Sequence, residues 1–464
     1  MIMEERTIAG IASGIGGGIG IIRISGPDSL TIAGSIFCAG KTKAADHSYF
    51  KNTPSHTMHY GHIYDDDQNI IDEVMVSVMK APNSYTKEDV IEINCHGGNF
   101  ILQKVLQLLI DKGAILAEPG EFTKRAFLNG RIDLSQAEAV MKMISSKNDF
   151  ALNSALKQLE GSVSKYIQDI REKILYDMGK IESALDDPEH YDLAGYSDEL
   201  LVRIQEEIEL LENLLKSFYN GRIKSEGINT VIVGKPNAGK SSLMNILLDE
   251  DRAIVTDIAG TTRDILKESA RLGNLILNLI DTAGIHDTED RVEQIGVRKA
   301  KDHIADADFI LFVVDGSDEW SEEDEQILPL IEEKKGVILL NKSDKENIIT
   351  EAFLKDKLDW NCILFSNHTK KGLQELEEYI EKLFAEGDIT YNDQIYLTSV
   401  RHRNAVSQAV DSLHRVEQSI IDAMPEDFFT IDLMEAYQQL GLIHGDTATE
   451  DLINKIFEEF CMGK

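Results

Sequence analysis

A glycine-rich run in the middle of the chain has the residue types and spacing that bind a nucleotide phosphate. It reads Gly-Lys-Pro-Asn-Ala-Gly-Lys-Ser-Ser over residues 234–242 and matches the pattern G-x-x-x-x-G-K-[ST]. The apolar run 230–233 before it is typical of a strand, and 243–248 after it is typical of a helix. Backbone N–H groups of such a loop surround phosphate oxygens, and the helix N-terminus adds a favourable dipole. We therefore predict that Lys240 reaches the β- and γ-phosphates and that Ser241 is a ligand of Mg2+.

Two further segments fit the metal and the γ-phosphate of the same nucleotide. Asp-Thr-Ala-Gly over 281–284 follows an apolar run, and such an aspartate holds Mg2+ through water while the glycine meets the γ-phosphate. Gly-Thr-Thr-Arg-Asp over 260–264 lies between this segment and the phosphate loop. We predict Thr262 as the second hydroxyl ligand of Mg2+, which closes over the γ-phosphate only when that group is present.

A third segment predicts that the base is guanine. Asn-Lys-Ser-Asp over 341–344 follows the apolar run 337–340, and Asp344 can accept hydrogen bonds from both N1 and the 2-amino group of guanine. Adenine cannot supply both donors. The last expected element departs from the usual pattern, because Ser-Asn-His over 366–368 stands where many such GTPases have Ser-Ala-Lys. Backbone contacts to the base can persist, whereas lysine packing on the guanine face is lost.

The water-activating group is not in its usual place. Ras-like enzymes have a glutamine directly after Asp-x-x-Gly, and this chain has Ile285 there. Because an apolar side chain cannot orient water, the catalytic group must lie elsewhere. A downstream carboxylate can act as a base, also through a second water. The charged candidates are Glu289, Asp290, Arg291 and Glu293.

Asn237 in the phosphate loop indicates a second, monovalent cation. Its amide oxygen is a reasonable hard ligand beside the phosphates, and carbonyl groups of 256–261 can complete the shell. Such an ion would supply the positive charge that an arginine finger supplies in other GTPases. Arg263 and Arg291 remain alternative fingers.

Composition favours a multidomain intracellular protein. The 464 residues suggest two to four domains at about 100–200 residues each. Lys+Arg at 47 against Asp+Glu at 81 gives a net charge of −34, which disfavours indiscriminate binding to nucleic acid or anionic lipid without excluding local basic patches. The 4 cysteines lie far apart, as expected for reduced thiols in the cytoplasm. No apolar stretch approaches the roughly 18 residues of a membrane span, so we expect no membrane association.

The hydrophobic pattern divides the chain into four segments. Strand-like runs at 19–25, 74–79 and 90–95 and a helical run at 99–111 predict an N-terminal α/β domain. Apolar residues at steps of three and four then predict one long helix over 152–185 and a second over 204–218. From residue 228, short β-rich runs alternate with helical stretches, which favours a doubly wound sheet. Helical spacing returns after residue 388.

We infer a Ras-like P-loop GTPase domain inserted into a helical domain that is made of two chain segments. The predicted domains are 1–122 for the N-terminal α/β domain, 123–222 and 388–464 for the two helical parts, and 223–387 for the GTPase. Two separate helical modules are the alternative.

We interpret two N-terminal features as structural rather than catalytic. The glycine-rich run 14–20 fails the dinucleotide pattern G-x-G-x-x-G because its sixth position is isoleucine, so we expect a turn there. Cys95 and His96 suggest a nucleophile and its base, but neighbouring residues of a strand point to opposite faces.

The chain resembles the bacterial and organellar tRNA-modification GTPases of the MnmE (TrmE) family over essentially its whole length. The resemblance depends on the GTPase segments together with Ile-Ile-Arg-Ile-Ser-Gly at 21–26, Asn-Cys-His-Gly-Gly at 94–98, the run at 119–131 and the terminal Phe-Cys-Met-Gly-Lys at 460–464. Met462 stands where the family usually has another aliphatic residue.

The resemblance implies an activity and partners that the spacing of residues does not. Family members are homodimers built through an N-terminal domain similar to folate-binding domains, where they bind a reduced folate, 5,10-methylene- or 5-formyl-tetrahydrofolate. With the FAD-containing partner MnmG (GidA) they place a carboxymethylaminomethyl group on C5 of the wobble uridine of certain tRNAs. Their GTPase domains meet in a K+-dependent manner, and this contact drives hydrolysis.

The resemblance also assigns roles by position. The folate contacts fall on Arg23, Glu92, Arg131 and Lys464. The K+ ligands fall on Asn237, Thr256, Ile258 and Thr261, and the catalytic carboxylate on Glu293, with Lys240 as the second catalytic residue. Cys461 is a candidate for the modification chemistry. The full GTP-binding set is Asn237, Ala238, Gly239, Lys240, Ser241, Ser242, Thr256, Asp257, Ile258, Ala259, Gly260, Thr261, Thr262, Asp281, Thr282, Ala283, Gly284, Asn341, Lys342, Asp344 and Ser366.

The competing function is that of a nucleotide-switched GTPase that only docks RNA or the ribosome. Such relatives usually carry a basic RNA-binding domain, and the acidic helical segments and folate-like N-terminal domain argue against it. Retention of a reduced folate by the purified protein would discriminate between the two.

Overall fold

The structure is a computed structural model that describes residues 6–40, 45–187, 189–190, 195–248, 268–273, 275–281, 303–305, 307–385, 396–458, 460 and 463. The chain divides into two compact units. The first comprises Met1–Ser145, Ala155–Leu211 and Asn404–Lys464, and the second Ser146–Ser154 and Glu212–Arg403. Within these described residues, every helix is too short or too polar to cross a bilayer.

The N-terminal part of the first unit is a seven-stranded sheet with helices on one face. Its strands are β1 (Ile8–Ile11), β2 (Ile19–Ser25), β3 (Phe37–Ala39), β4 (Thr57–Tyr64), β5 (Ile70–Met79), β6 (Val90–His96) and β7 (Ile115–Leu116). Their order is β3-β4-β5-β6-β2-β1-β7, antiparallel except for the β1–β7 pair. The accompanying helices are α1 (Ser29–Ile36), α2 (Tyr49–Asn52), α3 (Asn99–Asp111) and α4 (Glu121–Leu128).

Alternation along the strands explains why only one face is covered. On β5, Val74, Val76 and Val78 are at most 2% exposed and join the core with α1 and α3. Met75 of the same strand points to the other face and is 38% exposed. The predicted strand 19–25 and helix 99–111 are confirmed.

The helical segment that follows the N-terminal sheet corrects one prediction. The helices are α5 (Leu134–Ser145), α6 (Asp149–Leu159), α7 (Ser162–Asp186) and α8 (Tyr196–Glu226). The single helix predicted over 152–185 is wrong, because α6 ends and α7 begins around Gly161, which has a φ of 88°. Glycine adopts this left-handed conformation at little cost, so the chain turns there although the apolar spacing continues.

The second unit is a doubly wound sheet, as predicted. Its strands are β8 (Ile228–Val233), β9 (Glu268–Leu272), β10 (Leu275–Asp281), β11 (Phe309–Asp315), β12 (Gly336–Asn341) and β13 (Asn361–Leu364), in the order β13-β12-β11-β8-β10-β9. All pairs are parallel except β9–β10. Its helices are α9 (Lys240–Leu247), α10 (Glu322–Ile331), α11 (Glu351–Lys357) and α12 (Leu373–Ala385).

Two cores cover the two faces of this sheet. Alternate residues of β11 belong to different cores, so that Leu311 packs with α9 and α12 while Phe312 packs with α10 and α11. This arrangement accounts for the uninterrupted apolar strands of the segment.

The described residues from 396 onward form the helices α13 (Val400–Ile421), α14 (Asp427–His444) and α15 (Glu450–Glu458). In the first unit, α14 packs along α7. Buried Arg171 of α7 lies 4.2 Å from the ring centroid of Tyr437 and donates to Asp446 at 2.6 Å. The C-terminal helices therefore contact the first helical segment directly.

Candidate nucleotide and ligand sites

The phosphate loop joins β8 to α9, and its backbone geometry requires glycine at two positions. Gly234 has a φ of 151°, and a Cβ there would lie 2.2 Å from the carbonyl oxygen of Val313. Gly239 has a φ of 106°, and a Cβ there would lie 2.3 Å from Nδ2 of Asn341. Asn237 is also left-handed, with a φ of 61°. Both glycines of the sequence pattern thus have a steric reason.

Lys240 lies across the loop that it follows. Its Nζ donates to the carbonyl oxygens of Gly234 at 2.8 Å and Lys235 at 2.9 Å. Lys240 and Ser241 open α9, so the backbone N–H groups of the first helical turn lie at the same place. An ammonium group, a hydroxyl group and backbone donors therefore converge there.

The predicted base-reading residues lie at the carboxyl ends of β12 and β13. Nδ2 of buried Asn341 donates to the carbonyl oxygen of Ala238 at 2.7 Å. The hydroxyl of Ser366 donates to Oδ1 of Asp344 at 2.6 Å, and this hydrogen bond holds the pKa of Asp344 below its ordinary value. Lys342 forms an ion pair with Asp315 at the end of β11. The sheet thus brings Asn341, Asp344 and Ser366 beside the phosphate loop.

Asn367 was noted in the sequence only as a departure from Ser-Ala-Lys, yet it contacts the phosphate loop. Its Nδ2 donates to the carbonyl oxygen of Gly239 at 2.9 Å, and its backbone N–H donates to Oδ1 of Asn341 at 3.2 Å. The sequence did contain a signal for this contact, namely a polar residue at a position where alanine is common.

Lys235 is a second contact that sequence reasoning missed. Its side chain is 8% exposed, and its Nζ lies 3.0 Å from Oδ2 of Asp318 and 3.6 Å from Oδ2 of Asp324. Asp324 belongs to the capping box of α10, where it pairs with Ser321. Lys235 therefore links the start of the phosphate loop to α10 through ion pairs.

Several predicted residues lie outside the described part of the chain. Asp281 is described only as the last backbone position of β10, beside β8 in the parallel register. The structure describes none of Thr256, Asp257, Ile258, Ala259, Gly260, Thr261, Thr262, Thr282, Ala283, Gly284, Ile285, Glu289, Asp290, Arg291, Glu293, Arg263, Cys461 and Lys464.

A separate cluster forms in the first unit around the predicted folate residues. Nε of Arg23 donates to Oε1 of Glu92 at 2.8 Å across the β2–β6 pair. The guanidinium carbon of Arg23 lies 5.3 Å from the ring centroid of Tyr85, and that of Arg131 lies 4.7 Å from it. The structure therefore brings together all three of the described folate candidates, with Tyr85 and Phe122 as aromatic neighbours.

The end of the chain reaches this cluster. Nη1 of Arg23 donates to the carbonyl oxygen of Gly463 at 3.2 Å, although 440 residues separate them. Gly463 has a φ of 82°, and a Cβ there would lie 2.0 Å from the carbonyl oxygen of Ile11. Only glycine fits so close an approach of the C-terminal segment to β1.

The argument against a Cys95–His96 pair is confirmed. Cys95 is 3% exposed, and burial, with a smaller effect of Asp72, raises the pKa of its thiol to about 12. His96 instead bonds through Nδ1 to Asp72 at 2.6 Å, which raises the pKa of the imidazole. A thiol that remains protonated is a poor nucleophile.

The fold and this site define a class. A strand, a phosphate loop and a helix, with the Asn-Lys-x-Asp segment at the carboxyl end of a neighbouring parallel strand, are the arrangement of a P-loop GTPase.

Comparisons with known proteins give the family. The model of the GTP-binding protein TrmE N-terminus matches residues 7–131, and that of the MnmE helical domain matches residues 134–461. Proteins named tRNA modification GTPase MnmE are 50% identical in Lachnoclostridium phytofermentans, 48% in Thermoanaerobacter pseudethanolicus and 44% in Lactococcus lactis subsp. lactis, each match covering 100% of both chains. The chain belongs to the tRNA modification GTPase MnmE family and is a GTP-hydrolysing enzyme.

Two solved structures resemble part of the chain. The G domain of the T. maritima FeoB iron transporter is 26% identical, covering 34% of this chain and 99% of that chain with a TM-score of 0.27. Era of Aquifex aeolicus bound to GDP and AlF4− is 29% identical, covering 40% of this chain and 66% of that chain with a TM-score of 0.27. The family assignment does not depend on them.

Proposed function

We propose that this chain is a K+-dependent cytoplasmic GTPase that acts with the FAD-containing partner MnmG (GidA). Together they would form the 5-carboxymethylaminomethyl group on the wobble uridine of certain tRNAs, with a tetrahydrofolate derivative as the one-carbon source. The observation that carries the proposal is that one chain of this family holds both a phosphate loop with guanine-reading residues and a cation–aromatic cluster at Arg23, Glu92 and Arg131.

The described residues of the nucleotide site fit Mg-GTP. Lys240 would exchange its contacts with loop carbonyls for the β- and γ-phosphates, and Asp344 would accept the two donors of guanine. The Ser241 hydroxyl provides an oxygen ligand of the kind that Mg2+ prefers, and the Asn237 amide oxygen is a suitable ligand for K+. The cations supply positive charge where negative charge develops during phosphoryl transfer. Thr256, Ile258, Thr261 and Thr262 are proposed as their further ligands by position in the sequence.

The residues of the second cluster fit a reduced folate. Arg23 and Arg131 provide cations for the carboxylates of such a ligand, and Glu92 provides an acceptor for its N–H groups. The Tyr85 and Phe122 rings provide surfaces on which a flat heterocycle can stack. The carbonyl contact of Gly463 supports a role for Lys464, the next residue, at the same site.

Exposed apolar residues on the uncovered face of the N-terminal sheet support a homodimer. Tyr60 and Met75 face each other on β4 and β5 and are 51% and 38% exposed, and Met58 is 61% exposed. Contiguous apolar surface of this kind is typical of interaction sites. We expect Tyr60→Glu to shift the chain from dimer to monomer in light scattering, whereas an unchanged mass would contradict this face.

Hydrolysis should be slow in Na+ and fast in K+, and should rise with enzyme concentration as GTPase domains pair. Glu293→Ala should keep GTP binding and K+-driven pairing but lose turnover by about 10²–10⁴-fold, because a positioned base acts on water rather than on nucleotide. Asn237→Ala should instead lose the K+ response. Normal turnover of Glu293→Ala in K+ would place the base elsewhere and favour Arg263 or Arg291 as a finger.

The folate proposal is tested by calorimetry with 5-formyl-tetrahydrofolate. Arg23→Ala and Arg131→Ala should weaken binding, because each removes a cation from the cluster. Lys104→Ala removes an exposed cation of the same unit and should bind like the parent. Unchanged affinity in both arginine variants would refute the site. Absence of folate binding in the parent, together with nucleotide-dependent RNA binding, would favour the docking GTPase.

A further inference from the structure

Two asparagine side chains hold two consecutive carbonyl groups of the phosphate loop. Nδ2 of Asn341 donates to Ala238 at 2.7 Å, and Nδ2 of Asn367 donates to Gly239 at 2.9 Å. The two residues are also joined directly, since the backbone N–H of Asn367 donates to Oδ1 of the Asn341 side chain. A Cβ on Gly239 would lie 2.3 Å and 2.4 Å from the two Nδ2 atoms, so the pair packs directly against the loop.

Only one orientation of the Asn367 amide is consistent with these contacts. Its neighbour is a carbonyl oxygen, which accepts and cannot donate, so Nδ2 must face it. Oδ1 of Asn367 is buried without a hydrogen-bond partner among the described residues. The bond to Gly239 is therefore the side-chain hydrogen bond that fixes this amide.

The planarity of the peptide group gives this contact a consequence for phosphate binding. In a trans peptide the C=O of one residue and the N–H of the next point in opposite directions. A bond that holds the Gly239 carbonyl outward therefore holds the Lys240 N–H inward. Asn341 acts in the same way on the carbonyl of Ala238 and the N–H of Gly239. N–H groups of such loops are the donors that surround phosphate oxygens.

We propose that Asn367 is a positioning residue that aims the Lys240 N–H at the β-phosphate of the bound guanine nucleotide. It couples the loop after β13 to the phosphate loop, a link that alanine, common at this place in other GTPases, has no side chain to make. The inference rests on the proposed nucleotide site. It predicts that Asn367 contributes to affinity for the β-phosphate rather than for guanine.

The experiment compares GDP and GMP in competition with a fluorescent GDP analogue. Asn367→Ala and the nearly isosteric Asn367→Leu should both lower the affinity for GDP by about 3- to 10-fold, the range for one neutral hydrogen bond. GMP, which lacks the β-phosphate, should change by less than about twofold. The KM for GTP should rise by the same factor as the dissociation constant for GDP. The kcat should stay within about twofold of the parent value, because the contact is made before the reaction.

Asn361→Ala is the matched control. Asn361 is an exposed asparagine at the start of β13, the strand that leads to Asn367, and its variant should bind both nucleotides like the parent. Equal losses for GMP and GDP would mean that Asn367 acts on the base or on the fold, and would overturn the proposal. No loss in either variant would overturn it too. Failure of the parent to bind GDP would instead refute the proposed nucleotide site itself.

Discussion

Stability should depend on pH through one buried carboxyl group of the helical segment. Glu207 of α8 is 1% exposed, and both of its carboxylate oxygens lack a hydrogen-bond partner among the described residues. Burial, and then the nearby carboxylate of Asp177, raise the pKa of Glu207 to about 8, which Lys173 and Arg203 offset only in part. Glu207 is therefore mainly protonated at neutral pH in the folded protein.

The sign and the size of the effect follow from proton linkage. In the unfolded chain the carboxyl ionises near its ordinary value of 4.5, whereas the folded protein keeps the proton up to about pH 8. The folded state thus binds more protons between these values, so the free energy of unfolding falls as pH rises through this window. The full window corresponds to at most about 5 kcal/mol, and the part from pH 6 to 8 to about 2 kcal/mol.

Glu207→Gln should remove this dependence, because the amide does not ionise. Relative to the parent, the free energy of unfolding of the variant should gain about 2 kcal/mol between pH 6 and pH 8, measured by urea unfolding followed by far-ultraviolet circular dichroism. Trp320 and Trp360 both lie in the second unit. The unfolding transition that their fluorescence reports should be the same in the variant and the parent, and it serves as an internal control. Glu209→Gln replaces a nearby exposed carboxyl group of α8 and should follow the parent. Parallel curves for Glu207→Gln and the parent would refute the reasoning.

Three further outcomes test the sites. Asp344→Asn should lower affinity for GTP and raise affinity for xanthosine triphosphate, and unchanged GTP binding in a filter assay would exclude the base assignment. Gly239→Ala should weaken fluorescent GDP by more than about 10-fold, since its Cβ would overlap the amides of Asn341 and Asn367; parent-like binding would contradict the loop geometry. Cys95 should resist iodoacetamide at pH 8 in the folded protein and react in urea, as peptide mass spectrometry can show, because its pKa is about 12.

Local sequence patterns predicted elements well where one interaction dominates. A β-branched and apolar run predicted the strand 19–25, and the strand–glycine loop–helix order at 228–247 placed the phosphate loop correctly. The pattern failed at Gly161, where apolar spacing continues through a turn. It also missed β9, Glu268–Leu272, because this antiparallel edge strand includes charged residues and lacks a buried apolar run.

The sequence by itself determined most of the elements, the class of nucleotide site and the family, because periodicity, steric limits on glycine and donor types are local properties. Only the tertiary structure decided which distant groups meet. Asn367 reaches Gly239 across 128 residues because parallel strands deliver both loops to one edge of the sheet. Arg23 reaches Gly463 across 440 residues because the end of the chain packs against β1. Neither pairing leaves a periodic trace in the sequence, since each depends on how whole elements pack.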